Sequence, residues 1–235
     1  MAEAGDIDLG RIASSPATTR FGKQWRYKDE SGSTNTDALV WAMEGADEGS
    51  AVFAECQTKG RGRKGHDWFS APRGLQFSLI LRPGGRSFLS LPQERAQALL
   101  TRMAGLAVAE AVRGLTGLAP ALKEPNDVLL GQRKFCGILA ETGFRAGAPE
   151  WVVLGIGCNV NALPEDFPEE LRGKTCSLLS AGGRAVPRPQ LLRSILERLD
   201  YWYEGLNSGA AARFEEASAK LEEAWARGQR GVPHM

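Results

Sequence analysis

Between residue 92 and about residue 114 the apolar positions fall three and four apart. Leu99, Met103, Leu106, Ala109 and Val112 make one stripe, the repeat of a helix with a single buried face. Pro92 suits the start, where a missing N–H costs nothing. Gly105 inside the stripe costs about 1 kcal/mol relative to Ala and so predicts close packing there. A second stripe of Leu192, Ile195, Leu199 and Trp202 predicts a helix over 188–206, and a more charged helix follows over 210–227.

Elsewhere the pattern shortens to alternation or to compact apolar runs bounded by turn residues. WRYKDE (25–30), AVFAECQ (51–57), LQFSLILR (75–82), ALKE (121–124), KFCGILAET (134–142) and WVVLGIGCNV (151–160) read as strands. A short helix through DALVWAME carries Leu39, Val40 and Met43 on one face, with Thr34 or Asn35 as its cap. Asn126, Asp127 and Gly131, then Gly147 and Pro149, mark turns between the later strands. NALPEDFPEELRGKT (161–175) reads as an acidic loop, and residues 1–24 as a flexible lead-in. Strands outnumber helices without alternating with them. The expected fold is α+β, a mixed and mainly antiparallel sheet backed by helices.

The 235 residues suit one large domain. Lys plus Arg number 29 against 28 Asp plus Glu, for a formal net charge of +1, so overall charge gives no general attraction to nucleic acid or acidic membrane. Cys56, Cys136, Cys158 and Cys176 are scattered without zinc-ligand spacing, as expected of small apolar residues in a reduced compartment. MAEAGDIDLG lacks the basic and apolar regions of a secretory signal, and no apolar run approaches the roughly 20 residues of a spanning helix. The expectation is a soluble, cytoplasmic protein with no membrane partner.

Against this balanced background, KGRGRKGHDWF (59–69) is a local concentration of positive charge on pliable backbone, placed directly after a strand. Its spacing is not that of a P-loop. Arginines can clamp a carboxylate or phosphate through paired hydrogen bonds, and glycine amides can point at an anion. By itself the segment leaves three readings open: an anion site, a solvated loop, or nonspecific RNA contact. SGSTN (31–35) and Gln57 offer short hydrogen-bonding groups at strand ends, either for capping or for a small polar ligand. In KEPND (123–127), Asn126 can contact a nucleotide or its phosphates and Asp127 can hold Mg2+, although turn formation explains the same residues. Lys134 would return near Asp127 in a hairpin. His66 and His234 have no serine partner in a G-x-S-x-G elbow, which argues against a hydrolase triad.

GSTN, CQTKGRGRKGHDWFS, KEPNDVLLGQRKFCGILAET and VLGIGCNVN, in this order and at these separations, resemble the biotin protein ligases over residues 25–206. The resemblance implies a class II synthetase-like catalytic domain that activates biotin with ATP and Mg2+ to biotinyl-5′-AMP. The acyl group then passes to one lysine of a biotin carboxyl carrier domain. It implies biotin contacts from Ser33, Thr34, Asn35, Gln57, Arg61, Gly62, Arg63 and Lys134, and catalytic roles for Arg63 and Lys134. Arg63, Trp68, Asn126 and Asn159 are implied on the nucleotide, with Gly155 and Gly157 allowing close backbone approach, and Asp127 on the metal.

Two residues depart from the family pattern: Glu124 stands where an aromatic, often Trp, is usual, and His66 replaces a basic residue, so its charge is expected to depend on pH. About 32 residues before Ser33 are too few for a winged-helix domain, so DNA is not an expected partner. The short segment 207–235 is expected to replace the small C-terminal β-barrel of other members. An exposed sheet edge suits either a homodimer or carrier docking. Alternatives are a lipoate or octanoate ligase or transferase of the same superfamily, and a noncatalytic ligand- or RNA-binding module.

Overall fold

The computed structural model describes residues 7–10, 20–82, 92–207 and 211–230. Seven strands, β1 (Trp25–Ser31), β2 (Ala51–Gln57), β3 (Leu75–Leu81), β4 (Pro120–Lys123), β5 (Asp127–Leu130), β6 (Arg133–Arg145) and β7 (Ala148–Cys158), form one sheet. Their order is β1-β2-β3-β7-β6-β5-β4. Only the β1–β2 pair is parallel; every other neighbouring pair is antiparallel. The mixed, mainly antiparallel α+β architecture expected from the sequence is the one observed.

Helices cover the two faces unequally. α2 (Gln93–Thr116), α5 (Arg188–Asn207) and α6 (Ala211–Arg230) lie on one face. There Leu75, Phe77, Leu79 and Leu81 of β3 share a core with Met103, Leu106, Val112, Leu192, Ile195 and Leu199. The predicted stripes of α2 and α5 are therefore the buried ones. A Cβ on Gly105 would come within 2.9 Å of Leu122 Cδ2, which accounts for glycine where α2 crosses β4. On the other face, α1 (Thr34–Met43) covers Val52, Ile80 and Val153 through Ala38 and Ala42. Burial from both sides explains why every residue of β3 is buried and its alternation is weak.

Several expectations are corrected. Ser33 holds the cap position of α1 without a side-chain cap bond, and Thr34 and Asn35 belong to the first turn. The buried face is Thr34, Asn35, Ala38 and Ala42, while Val40 and Met43 are 49% and 65% exposed. Steps of four select that face, and small side chains let the helix sit close to the sheet. The turn read at 126–131 contains an additional strand, β5. The supposed loop 161–175 carries a short helix, α3 (Glu169–Arg172), ahead of α4 (Leu178–Gly182). Within the segment read as a flexible lead-in, Phe21 is fully buried and Leu9 nearly so, both in the main core. An isolated apolar residue among small ones leaves no periodicity to read. Phe214 and Leu221 extend the same core into α6. His234 lies outside the described residues.

Candidate active site

Beyond α1 the sheet face is left open, and its residue types make a depression. In one row across the strands, Ala54, Gln76, Gly157, Gly137 and Asp127 are successive partners. In the next, Val52, Ser78, Gly155 and Leu139 align. Three glycines on neighbouring strands remove side chains where the sheet would otherwise be filled. A cavity of about 230 Å3 lies there, bounded by Ser33, Thr34, Asn35, Gln57, Arg61 and Lys134 among others.

Two side chains of the protein itself occupy the space the glycines leave. A Cβ on Gly155 would fall 2.0 Å from Asn35 Oδ1, and one on Gly157 would fall 2.5 Å from Trp68 Cε2. Gly137 is less tight, at 2.9 Å from Trp68 Cζ3. The indole thus lies flat on β6 and β7. Lys134 Nζ stands 5.4 Å from the indole ring centroid, within the range of cation–π attraction.

One hydrogen-bonded chain organises the polar wall. Gln57 Oε1 accepts from Thr34 N at 2.8 Å and from Thr34 Oγ1 at 3.1 Å. Ser78 Oγ lies within hydrogen-bond distance of both Thr34 Oγ1 (2.8 Å) and Asn35 Oδ1 (2.6 Å). Asn35 Nδ2 donates to Glu141 Oε2 at 2.8 Å, and Arg61 Nη2 donates to the same oxygen at 2.6 Å. The chain runs from β2 through α1 and β3 to β6 and the basic loop.

The loop is a closed hairpin. Gly62 N donates to His66 O and Trp68 N to Gly60 O, with a 3-10 turn at Arg63–Gly65. Lys64 and Gly65 have positive φ of 56° and 76°. A Cβ on Gly60 would lie 2.4 Å from Trp68 O, so that glycine is required by close approach. Arg63 also borders the cavity, and among the described residues its guanidinium has no hydrogen bond or ion pair. The two arginines therefore differ: Arg61 is tethered, Arg63 is uncommitted.

Opposite the loop, the β5–β6 hairpin brings Lys134 Nζ to 2.7 Å from Asp127 Oδ1, a contact at ion-pair distance without hydrogen-bond geometry. Asn126 Nδ2 donates to Ile138 O at 3.2 Å, fixing the turn after the cis Glu124–Pro125 bond. Among the described residues no three His, Cys, Asp or Glu side chains group as metal ligands. Asp127 therefore belongs to no such group, and a single carboxylate fits a Mg2+ ion only where phosphates and water supply the other ligands.

Residues 30–159, more than half of the chain, match the biotin/lipoate A/B protein ligase family. A biotin–[acetyl-CoA-carboxylase] ligase of Mycobacterium tuberculosis is 39% identical over 211 residues, covering 85% of this chain and 74% of that protein. The chain belongs to this family.

A bifunctional ligase/repressor of Bacillus subtilis is 35% identical over 193 residues, and the match covers 82% of this chain and 57% of that protein. The chain thus spans little more than half the length of that relative. Among solved structures, the biotin protein ligase of Aquifex aeolicus in complex with biotin and ATP is similar with a TM-score of 0.67. Its identity is 31%, covering 79% of this chain and 72% of that one.

Most residues singled out from the family's motifs meet at the cavity: Ser33, Thr34, Asn35, Gln57, Arg61, Gly62, Arg63, Trp68, Asn126, Asp127 and Lys134 all border it. Asn159 does not. It is buried behind β7, where Nδ2 donates to Cys176 O at 3.2 Å. Gly155 and Gly157 border the cavity and make room for Asn35 and Trp68. Glu124 turns outward, 63% exposed and 3.6 Å from Arg102, toward α6. His66 is exposed at the cavity mouth. Ser78 and Glu141 were not anticipated. Ser78 interrupts the apolar run LQFSLIL and Glu141 follows the run GILA, and a polar residue beside an apolar run is the signal that could have pointed to them.

Proposed function

We propose that this chain is a biotin–[biotin carboxyl carrier protein] ligase, which activates biotin with ATP and transfers it to a lysine. The observation that carries the reading is the convergence of an uncommitted Arg63, Lys134 and a neutral polar wall on one glycine-floored cavity, in a chain of this family. A carboxylic acid with a small polar head fits such a cavity. Thr34, Asn35 and Gln57 supply the donors and acceptors for the head, and Lys134 and Arg63 supply positive charge for the carboxylate and the α-phosphate.

The first step joins the carboxylate oxygen to the α-phosphorus and breaks its bond to the pyrophosphate oxygen. Negative charge concentrates on the phosphoryl oxygens, so fixed cations aimed at them lower the barrier. In this proposal Lys134 leaves Asp127 to meet that charge, and Asp127 becomes free to face the metal. Mg2+, where bound, would neutralise phosphate charge. Asn126 and Trp68 border the nucleotide side. No covalent bond to the protein is required, and the work is positioning.

In the second step the ε-amine of the acceptor lysine attacks the acyl carbon, AMP departs, and the amine loses a proton. Arg63 over the mixed anhydride would hold it against escape and hydrolysis until then.

Incubation of the protein with biotin, ATP, Mg2+ and a biotin carboxyl carrier domain tests the reading. The expected outcome is one biotinyl mass increment on the carrier, lost when its acceptor lysine is changed to arginine. Modification by lipoate or octanoate in place of biotin would assign the chain to the other branch of the family.

A further inference from the structure

Glu141 holds the arginine that stands at the boundary of two cavities. Arg61 borders both the 230 Å3 cavity and an outer bay of about 700 Å3, whereas Glu141 borders only the bay. A single carboxylate oxygen, Oε2, accepts from Arg61 of the basic loop and from Asn35 of the polar wall. The Arg61 side chain is 43% exposed and that of Glu141 26%. An ion pair so accessible adds little to folding, so its consequence lies in placement.

We infer that Glu141 is a positioning residue that tethers the basic loop over the cavity and fixes the amide of Asn35. Asn35 has two distinguishable ends. Glu141, which can only accept when ionised, draws the NH2 end, and the carbonyl end is left to Ser78. Removing the charge frees Arg61 and removes the reason for that orientation. The wall between cavity and bay is then a flexible arginine in place of a held one. The tether is a property of the ligand-free protein; its consequence for biotin rests on the function proposed above.

Trypsin reads the tether directly, since Lys59, Arg61, Arg63 and Lys64 all lie in the loop and cleavage requires the loop to open locally. Without any ligand, Glu141→Gln is expected to be cut in the loop about fivefold faster than the parent, with its thermal midpoint little changed. The charge-swapped pair Arg61→Glu with Glu141→Arg is expected to recover protection at Lys59, Arg63 and Lys64, the sites that the swap leaves in the loop. Loop cleavage at the parental rate in Glu141→Gln, or a swapped pair cut as fast as the single variants, would overturn the inference. In turnover, the KM for biotin is expected to rise about tenfold in Glu141→Gln with the KM for ATP nearly unchanged, and Glu141→Asp to recover part of the loss. Equal changes in both constants would count against a role at Asn35. Titration of the parent protein with biotin is read separately, so failure of the biotin reading is distinguishable from failure of the tether.

Discussion

Asp127 and Lys134 lie on the two strands of the β5–β6 hairpin, opposite Gly137 and Leu129, and their side chains meet diagonally with 2.7 Å between Oδ1 and Nζ. Seven residues apart in sequence, they meet because Gly131 turns the chain, with φ of 60°, between short β5 and the start of β6. The pair keeps a cation beside the cavity while no anion is there to hold it. Lys134→Met is therefore expected to lower the rate of adenylate formation by about two to three orders of magnitude, the scale of removing one fixed group that meets developing charge. Asp127→Asn is expected to raise the KM for MgATP more than that for biotin. Initial-rate kinetics with each substrate varied in turn check both.

The floor of the site makes a steric prediction. Gly155→Ala places a methyl group 2.0 Å from Asn35 Oδ1 and 2.8 Å from its Cγ, inside the space the amide occupies. Asn35 must leave its position, and the bonds with Ser78 and Glu141 go with it. Biotin affinity is expected to fall at least tenfold, measured by calorimetric titration. Gly147→Ala, at a turn remote from the cavity where no atom lies within 4 Å, is expected to leave affinity unchanged despite local strain.

Arg61 and Arg63 are predicted to fail differently. Arg61 is held by Glu141, and Arg63 has no partner among the described residues. Arg63→Gly is expected to release the adenylate, so that lysines of unrelated proteins become labelled. Arg61→Gly is expected mainly to raise the KM for biotin. Mass spectrometry of a bystander protein in the reaction distinguishes them. Strict acceptor specificity in Arg63→Gly would refute its assigned role.

The hydrophobic pattern located the sheet, both long buried helices and the hairpin, because stripes such as Leu192–Ile195–Leu199 are set by burial alone. It misassigned the inner face of α1. Val40 and Met43 are apolar yet exposed, while Thr34 and Asn35 are polar yet buried, since the first turn of the inner face meets the polar wall and only Ala38 and Ala42 meet a core. β5 was hidden by the turn-forming chemistry of Asn126 and Asp127. At the site, motif residues were legible because charge and glycine concentrate there. Glu141 was not, because its significance comes from Arg61, eighty residues away in sequence and joined to it only by folding.

The cysteines give a test of the core. Cys136, Cys158 and Cys176 are buried and Cys56 is exposed. A hydrogen bond with Cys136 and burial raise the Cys158 thiol well above its ordinary range, and burial pushes Cys176 from 9.0 up to about 11. Iodoacetamide at neutral pH is expected to label one cysteine in the native protein and four in denaturant. Because the folded state keeps protons that the unfolded chain releases near pH 9, this contribution to stability is complete below pH 9. It is lost as pH rises toward about 11. Denaturant midpoints at pH 8 and pH 10 are expected to differ less in Cys176→Ala than in the parent.

Exchange of labelled pyrophosphate into ATP by the purified protein, with biotin, lipoate and octanoate supplied separately, tests the central claim most directly. It isolates the first step from any question of the acceptor. Exchange that depends on biotin and is abolished in Lys134→Met is the predicted result. A folded protein that binds biotin yet supports no exchange with any of the three acids would contradict the account.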